Sequence, residues 1–510
     1  MPAFQASNLL VLMSDQHNRL VMGCAGHPDV KTPNLDALAA RGTRFANAYT
    51  NSPICVPSRA AMATGRYPHQ LEVWDNAAPY AGRPPSWGHR LIAAGRHVTT
   101  IGKLHFRGDQ DDTGFPDQRI ALHCHEGLGD YQGLLRQDMP PRFQHRKYLL
   151  EAGPGDSEYV RYDRAIGTEA VRWLREEAAS HAEPWALFAS FVCPHPPFIA
   201  PPEFMALYDP NQISLPVGWR PEEWVHHPAL DLRRRIMFHE EPLDERTFRQ
   251  AICAYYALVS FMDDQIGQVL RALDEAGLTD STRILYTNDH GDMVGKHGLW
   301  YKSVMYEDSA GVSMIVAGPD VPAGKVSETN VTLVDVFPTA LQATGVDPVP
   351  EDADLPGLSL LELANEDRRR SRLAFSEYHA SMSASASFMV RDNRYKLIYY
   401  VGMPRQVFDL EVDPDERHNL ADDPARAETV RRLEAALRTI CDPEEIDRLA
   451  KADQRRRIEA VGGAEAIVAG GVKFTHSPPN RQFQMPPPGY VRLPALPPRG
   501  STPPDRPPSP

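Results

Sequence analysis

Two apolar runs end in residues that could do chemistry. "NLLVLMS" (8–14) leads straight into Asp15, Gln16 and His17, and "RILYTN" (283–288) leads into Asp289 and His290, with Gly291 and Asp292 following. In open α/β sheets ligands bind beyond the carboxyl ends of the strands. If these two strands are neighbours, two carboxylates, an amide oxygen and an imidazole converge on one point. That donor set suits a hard divalent cation: its oxygens favour Ca2+, and the nitrogen of His290 leaves Mn2+ open. Either pair alone also reads as a turn or cap. A third stretch, "SPICVPSRAAMATGRYP" (52–68), reads as a short helix with Pro57 in its first turn and Gly65 closing it. Cys55 then stands at the helix start, where free N–H groups and the dipole favour an anion, and Arg59 lies one turn on, able to reach back. Taken alone, Cys55 reads as a low-pKa nucleophile or as a buried structural thiol.

The elements that must position these residues follow from periodicity. Besides the two strands above, "HVTTIGK" (97–103), "WALFASFV" (185–192) and "GVSMIVAG" (311–318) read as strands buried on both faces. Helical spacing runs through 32–42, 86–95, 163–179 and 254–277. Alternating strand and helix predicts an α/β fold, a large mixed and mostly parallel sheet sandwiched by helices. From about Leu373 the pattern changes to antiparallel strands with turns, then a helix over 425–440. The expected division is a catalytic domain over 1–370, a smaller C-terminal α+β subdomain with an antiparallel sheet over 371–457, and a Gly- and Pro-rich tail over 458–510.

The 510 residues, 42% apolar, are enough for a substantial core, and the net charge of −13 argues against nucleic acid as a partner. Any anionic ligand must therefore be caught by a local cluster of cations. Six cysteines (Cys24, Cys55, Cys124, Cys193, Cys253 and Cys441) form no CxxC pair, which favours a reducing compartment. With no basic leader and no apolar run long enough to span a bilayer, the expectation is a cytoplasmic protein without a membrane partner.

The full pattern Cys55-Val56-Pro57-Ser58-Arg59, followed by "AAMATGRYP", resembles the signature of the type I, formylglycine-dependent sulfatases of the alkaline-phosphatase-like superfamily. "DQHN", "TPNLDALAARGTRFANAYT", "GKLHF", "PHPPF", "NDHGDMVGKHGLWYK" and "RYKLIYY" with "VFDLEVDPDERHNLADDP" extend the resemblance over roughly residues 8 to 425. It is closest to the choline-sulfatase and phosphonate monoester hydrolase branch. The resemblance implies Asp15, Gln16, Asp289 and His290 as metal ligands, joined by Cys55 once a formylglycine-generating enzyme has oxidised it. It also implies Arg59 as the group holding the nucleophile and Lys103 and His105 as its flanking pair. His195 and Lys302 would grip the sulfate and assist the leaving oxygen, and Asn76 would touch substrate. His297 has no assigned role.

The chemistry explains the residue types. A sulfate monoester repels nucleophiles, so positive charge from the metal, Arg59, Lys103 and Lys302 must be concentrated at the site. A formylglycine hydrate offers two hydroxyls on one carbon: one attacks sulfur, giving a covalent sulfated intermediate, and loss of the other's proton, to His105, expels sulfate. Each lysine taken alone also reads as a surface charge, and each histidine as a core residue. The expected activity is sulfatase, on aryl or small alkyl sulfates. Phosphonate monoester or phosphodiester hydrolysis is the alternative, argued against by Lys103 and His105, and a non-catalytic anion-binding protein is the second. Choline would need a carboxylate and aromatic cage, for which "SEYHASMSASAS" offers only Glu377 and Tyr378. In related sulfatases the C-terminal segment reaches across subunits, which implies a homo-oligomer, dimer or tetramer.

Overall fold

Five apolar runs become the centre of an eight-stranded sheet in the computed structural model, which describes residues 4–470. Its strands are β1 (Asn8–Asp15), β2 (Gly42–Phe45), β3 (His97–Lys103), β4 (Asp117–Leu122), β5 (Trp185–Pro194), β6 (Thr282–Asn288), β7 (Met314–Ala317) and β8 (Lys325–Ser327). Their order across the sheet is β8-β2-β7-β6-β1-β5-β3-β4. β6, β1, β5, β3 and β4 run parallel, and β7 is antiparallel to both of its neighbours. The mixed, mostly parallel sheet is the one expected from the sequence.

Both faces are covered, and the period-two alternation of a strand decides which side chain serves which face. Leu10 and Leu12 pack with helices α1 (Pro33–Ala40), α4 (Glu158–Glu176) and α5 (Glu245–Glu275). Leu9, Val11 and Met13 pack with α2 (Cys55–Thr64), α3 (Trp87–Ala93) and α6 (Val336–Ala343). Each such side chain contributes about 1.5–3 kcal/mol by leaving water. α4 and α5 start earlier than apolar spacing alone suggests, because Ser157 and Asp244 cap them, accepting from the amides of Val160 and Thr247.

A second sheet, antiparallel throughout, comprises β9 (Ala374–Tyr378), β10 (Ser387–Arg391), β11 (Tyr395–Tyr400) and β12 (Gln406–Asp409). One face is covered by α7 (Ala427–Ile440) through Val430, Leu433 and Leu437. The other packs on Met293, Leu299, Met305 and Tyr306, so this sheet braces the segment that follows β6. Beyond it, α8 (Pro443–Ala460) is capped by Asp442, and Ala464–Ala469 is helical where the sequence reads as tail. The Pro-rich part of that tail lies outside the described residues. Among the described residues no helix is long and apolar enough to cross a membrane.

Candidate active site

The pairing of β1 with β6 sets Ser14 opposite Asn288, which brings Asp15 and Asp289 side by side at the carboxyl edge. Gln16 follows with φ of 66°, a left-handed turn that a non-glycine residue adopts at some strain, and its amide donates to Asp289 Oδ1 (3.2 Å). The first turn of α2 is pinned to the same edge. Ser58 Oγ donates to the Asp289 carbonyl (2.6 Å), and Asn76 Oδ1 accepts from the Val56 amide (3.1 Å).

Arg59 is the tie. Its Nε donates to Asp289 Oδ2 (2.9 Å), Nη2 to Asp15 Oδ2 (3.1 Å), and Nη1 to the Lys103 carbonyl (2.7 Å) and Ser190 Oγ (2.9 Å). One buried guanidinium thus spans the ends of four strands, β1, β3, β5 and β6. Lys103 Nζ also donates to Asp15 Oδ2 (2.5 Å).

With both Oδ2 atoms turned outward to cations, other atoms face the centre. Asp15, Cys55, Asp289 and His290, all buried, each offer one donor atom, and these lie within 4.8 Å of one another. Cys55 Sγ is 3.3 Å from His290 Nε2 and 3.8 Å from Asp15 Oδ1. His290 Nδ1 is 3.1 Å from the Gly291 carbonyl, a contact in which Nδ1 donates, so that Nε2 is the ring nitrogen turned to the centre. Gln16 Oε1 accepts from Lys302 Nζ (2.8 Å), which also donates to Cys55 Sγ (3.2 Å). Two carboxylate oxygens, an amide oxygen and an imidazole nitrogen fit a divalent cation.

The charges are unevenly settled. Burial raises the Asp15 carboxyl, but Lys103, Lys302, His195 and Arg59 together hold it well below the usual range. Asp289, raised by burial and by the Asp15 charge, is pushed up to about 6. For Cys55, burial and Asp15 raise the thiol, yet Lys302, Lys103 and His290 outweigh them and hold it well below a free thiol. Its sulfur therefore marks where an anionic oxygen is favoured. His195, which hydrogen-bonds Cys55, is pushed down to about 4 by burial and by Lys302; its Nδ1 lies 2.8 Å from the Pro196 carbonyl.

The sequence-read residues thus fall into three groups. Asp15, Gln16, Cys55, Arg59, Lys103, His195, Asp289, His290 and Lys302 meet at one centre. Asn76 supports the helix start, and His105 stands just past β3 with φ of 60°, its amide on the Leu122 carbonyl (2.8 Å). His297 sits away, its Nε2 2.8 Å from the Asp415 carbonyl and its ring on Tyr306. Glu377 is engaged within the fold by His69 and His379, which hold it down to about 2, and the Tyr378 hydroxyl donates to the Ser381 carbonyl.

Sequence reasoning gave Asp292 no role, although it stands three residues after Asp289. Its Oδ2 accepts from Gln16 Nε2 (2.6 Å), and its Oδ1 from the amides of Val294 (2.8 Å) and Tyr301 (2.9 Å). It orients the amide of Gln16 and the backbone just before Lys302.

The Sulfatase family model matches residues 7–346, and the model of the N-sulphoglucosamine sulphohydrolase C-terminal region matches residues 295–442. Choline-sulfatase of Rhizobium meliloti (strain 1021) is 31% identical over 425 residues, covering 82% of this chain and 83% of that protein. Human arylsulfatase K is 29% identical over 445 residues, 82% and 80% of the two chains. The crystal structure of the phosphonate monoester hydrolase of Agrobacterium radiobacter superposes with a TM-score of 0.68 at 24% identity, covering 85% of this chain and 95% of that one. That likeness establishes the fold.

Proposed function

The chain belongs to the sulfatase family and is a sulfuric ester hydrolase, and from that premise we propose that it cleaves sulfate monoesters of aryl or small alkyl alcohols at the Cys55 centre. The observation that carries this reading is Cys55 Sγ at a helix start, 3.3 Å from His290 Nε2 and 3.2 Å from Lys302 Nζ, beside Asp15 and Asp289. Asp15, Gln16, Asp289 and His290 would hold one divalent cation, Ca2+ by preference for their oxygens with Mn2+ as the alternative. When bound and matured, the cation supplies charge stabilisation and the formylglycine derived from Cys55 supplies the nucleophilic oxygen.

The chain's own residues do the rest. Lys302 and Lys103 bind the sulfate oxygens, and the helix start of α2 adds N–H groups of the same polarity. Arg59 keeps both carboxylates oriented. His195 and Lys302 stand on the Cys55 side where the alcohol departs, and a proton given to that oxygen there contributes roughly 10²–10⁴-fold. His105 is assigned the proton transfer that releases sulfate. Lys103 and His105 favour sulfate over a phosphonate monoester. A formylglycine-generating enzyme is the maturation partner in this reading, the chain acts in the cytoplasm, and it assembles as a dimer or tetramer.

The test is twofold. Peptide mass should show Cys55 lighter by about 18 Da after co-expression with a maturing enzyme, as the loss of the thiol to an aldehyde requires. Rates on 4-nitrophenyl sulfate should then exceed those on a 4-nitrophenyl phosphonate monoester, and faster phosphonate turnover would reverse the assignment. Elemental analysis of protein kept free of chelator identifies the metal.

A further inference from the structure

Two buried arginines lack ion-pair and full hydrogen-bond partners among the described residues. Arg136 is 7% exposed, and none of its three guanidinium nitrogens has a hydrogen-bond partner among the described residues. Arg233, 2% exposed, leaves Nε and Nη2 without one, while Nη1 reaches only Met382 Sδ at 3.8 Å. Burial pushes Arg233 down to about 10 and lowers Arg136 from its ordinary value. A buried charge without partners is strongly destabilising, and native structures rarely keep one without a reason.

The neighbouring carboxylates are spent elsewhere. Asp75 accepts from the Ala77 amide and Gln454 Nε2, and Asp447 from the Ala386 amide and Lys451 Nζ. Both influence Arg136 electrostatically, as does Tyr378. Tyr378 and Asp292 influence Arg233, with Arg142 opposing them. Tyr378 is thus common to the two arginines. Asp130, at the start of the segment carrying Arg136, has its amide on the Asn76 carbonyl (3.3 Å), and Arg142, at the end of that segment, has its amide on the Ile236 carbonyl (2.7 Å), in the turn after Arg233. The segment carrying Arg136 is therefore joined at Asp130 to Asn76, which supports the helix start bearing Cys55, and Arg233 is influenced by the charge of Asp292, which holds the backbone just before Lys302. His239, whose ring nitrogens also have no partner among the described residues, packs on Tyr301 next to Lys302 (ring centroids 6.1 Å).

We propose that Arg136 and Arg233 form a second anion subsite, which takes a carboxylate or second sulfate on the alcohol part of the substrate. The substrate class is then a sulfate monoester whose alcohol is itself an acid. This rests on the sulfate-ester reading above and narrows it. A planar guanidinium pairs with a carboxylate or a sulfate through two parallel N–H donors, so the ligand would supply the acceptors that the fold withholds. A cationic alcohol such as choline would meet like charge.

The experiment uses the mature enzyme with Cys55 conversion verified by mass. 4-Sulfooxybenzoate is compared with its methyl ester, and benzene-1,3-diyl disulfate with 3-methoxyphenyl sulfate. The charged member of at least one pair should show a kcat/KM at least tenfold higher, mainly through KM, and the pair that responds identifies carboxylate or sulfate. In Arg136→Gln and Arg233→Gln that ratio should fall toward one, with Arg→Lys restoring part of it, whereas a merely structural role would lower both members alike. Calorimetric binding of 4-hydroxybenzoate to Cys55→Ala, and its loss in Cys55→Ala/Arg136→Gln, reads the subsite without turnover. Binding without hydrolysis of any sulfate ester would keep the subsite and sink the sulfatase reading. Hydrolysis with neither charge preference nor binding would sink the subsite alone. The melting temperature of Arg136→Gln should hold or rise, and a fall would show that the charge serves packing and overturn the proposal.

Discussion

Two buried ionic clusters of similar composition sit in this molecule, and only one has the makings of a reaction centre. At the sheet edge, Asp15 and Asp289 meet Arg59, Lys103 and Lys302. At the seam between the two sheets, Glu307 and Glu416 meet Lys396, Arg19 and Arg391. In the seam each charge faces an opposite one, although Arg19 Nε and Arg391 Nε have no hydrogen-bond partner among the described residues: Lys396 Nζ lies 2.9 Å from Glu307 Oε1 and 2.7 Å from Glu416 Oε1, Tyr49 donates to both Glu307 oxygens, and Glu416 Oε2 accepts the Glu307 amide. At the edge, donor atoms of Asp15, Cys55, Asp289 and His290 converge on a common centre. Buried charge alone therefore does not mark a candidate site; acceptor atoms left facing one another, with a thiol among them, do.

The contrast breaks down first at Cys55. Cys55→Ala should lower kcat/KM on 4-nitrophenyl sulfate by about 10⁵-fold, as loss of a nucleophile does, with little change in a denaturant melt. Lys396→Met should do the reverse. Stranding two buried carboxylates destabilises by about 3–5 kcal/mol, read in urea melts, while kcat/KM per folded molecule stays within a few-fold. A large activity loss there would make the seam part of the catalytic unit.

Asp292→Asn sharpens the boundary. It places an amide donor against Gln16 Nε2 and should cost 10–100-fold in kcat or in metal affinity, the usual range for a group that orients a ligand, measured by kinetics and metal titration. The smallest effect concerns acid. His297, beside the seam, is pushed down to about 4 by burial and by Lys296, so it folds neutral while the unfolded chain takes up a proton below its usual 6.5. Its contribution is complete above pH 6.5 and is lost as pH falls toward 4, at up to about 1.4 kcal/mol per pH unit. Urea melts of His297→Gln between pH 7 and 4.5 should show a correspondingly shallower decline.

The edge cluster was legible because its residues stand at strand ends and in a contiguous signature, where apolar periodicity gives position and residue type gives chemistry. The seam was not, since Arg19, Glu307, Lys396 and Glu416 come from three well-separated stretches of the chain and each alone reads as a surface charge. Asp292 escaped for a related reason: its role lies in backbone amides nine residues on, at Tyr301, and in an amide across the sheet at Gln16. Short strands such as β2 and the early starts of α4 and α5 were missed because pairing and caps, rather than hydrophobic spacing, set them.

Cys55 is only 2% exposed, closed in by the first turn of α2 and by a guanidinium that ties four strands. A macromolecule that is to alter that side chain has no route to it once the sheet has closed. On the proposed reading, in which a modifying enzyme converts Cys55, each newly made chain faces a race between that encounter and collapse of the core, and a chain that folds first keeps its thiol.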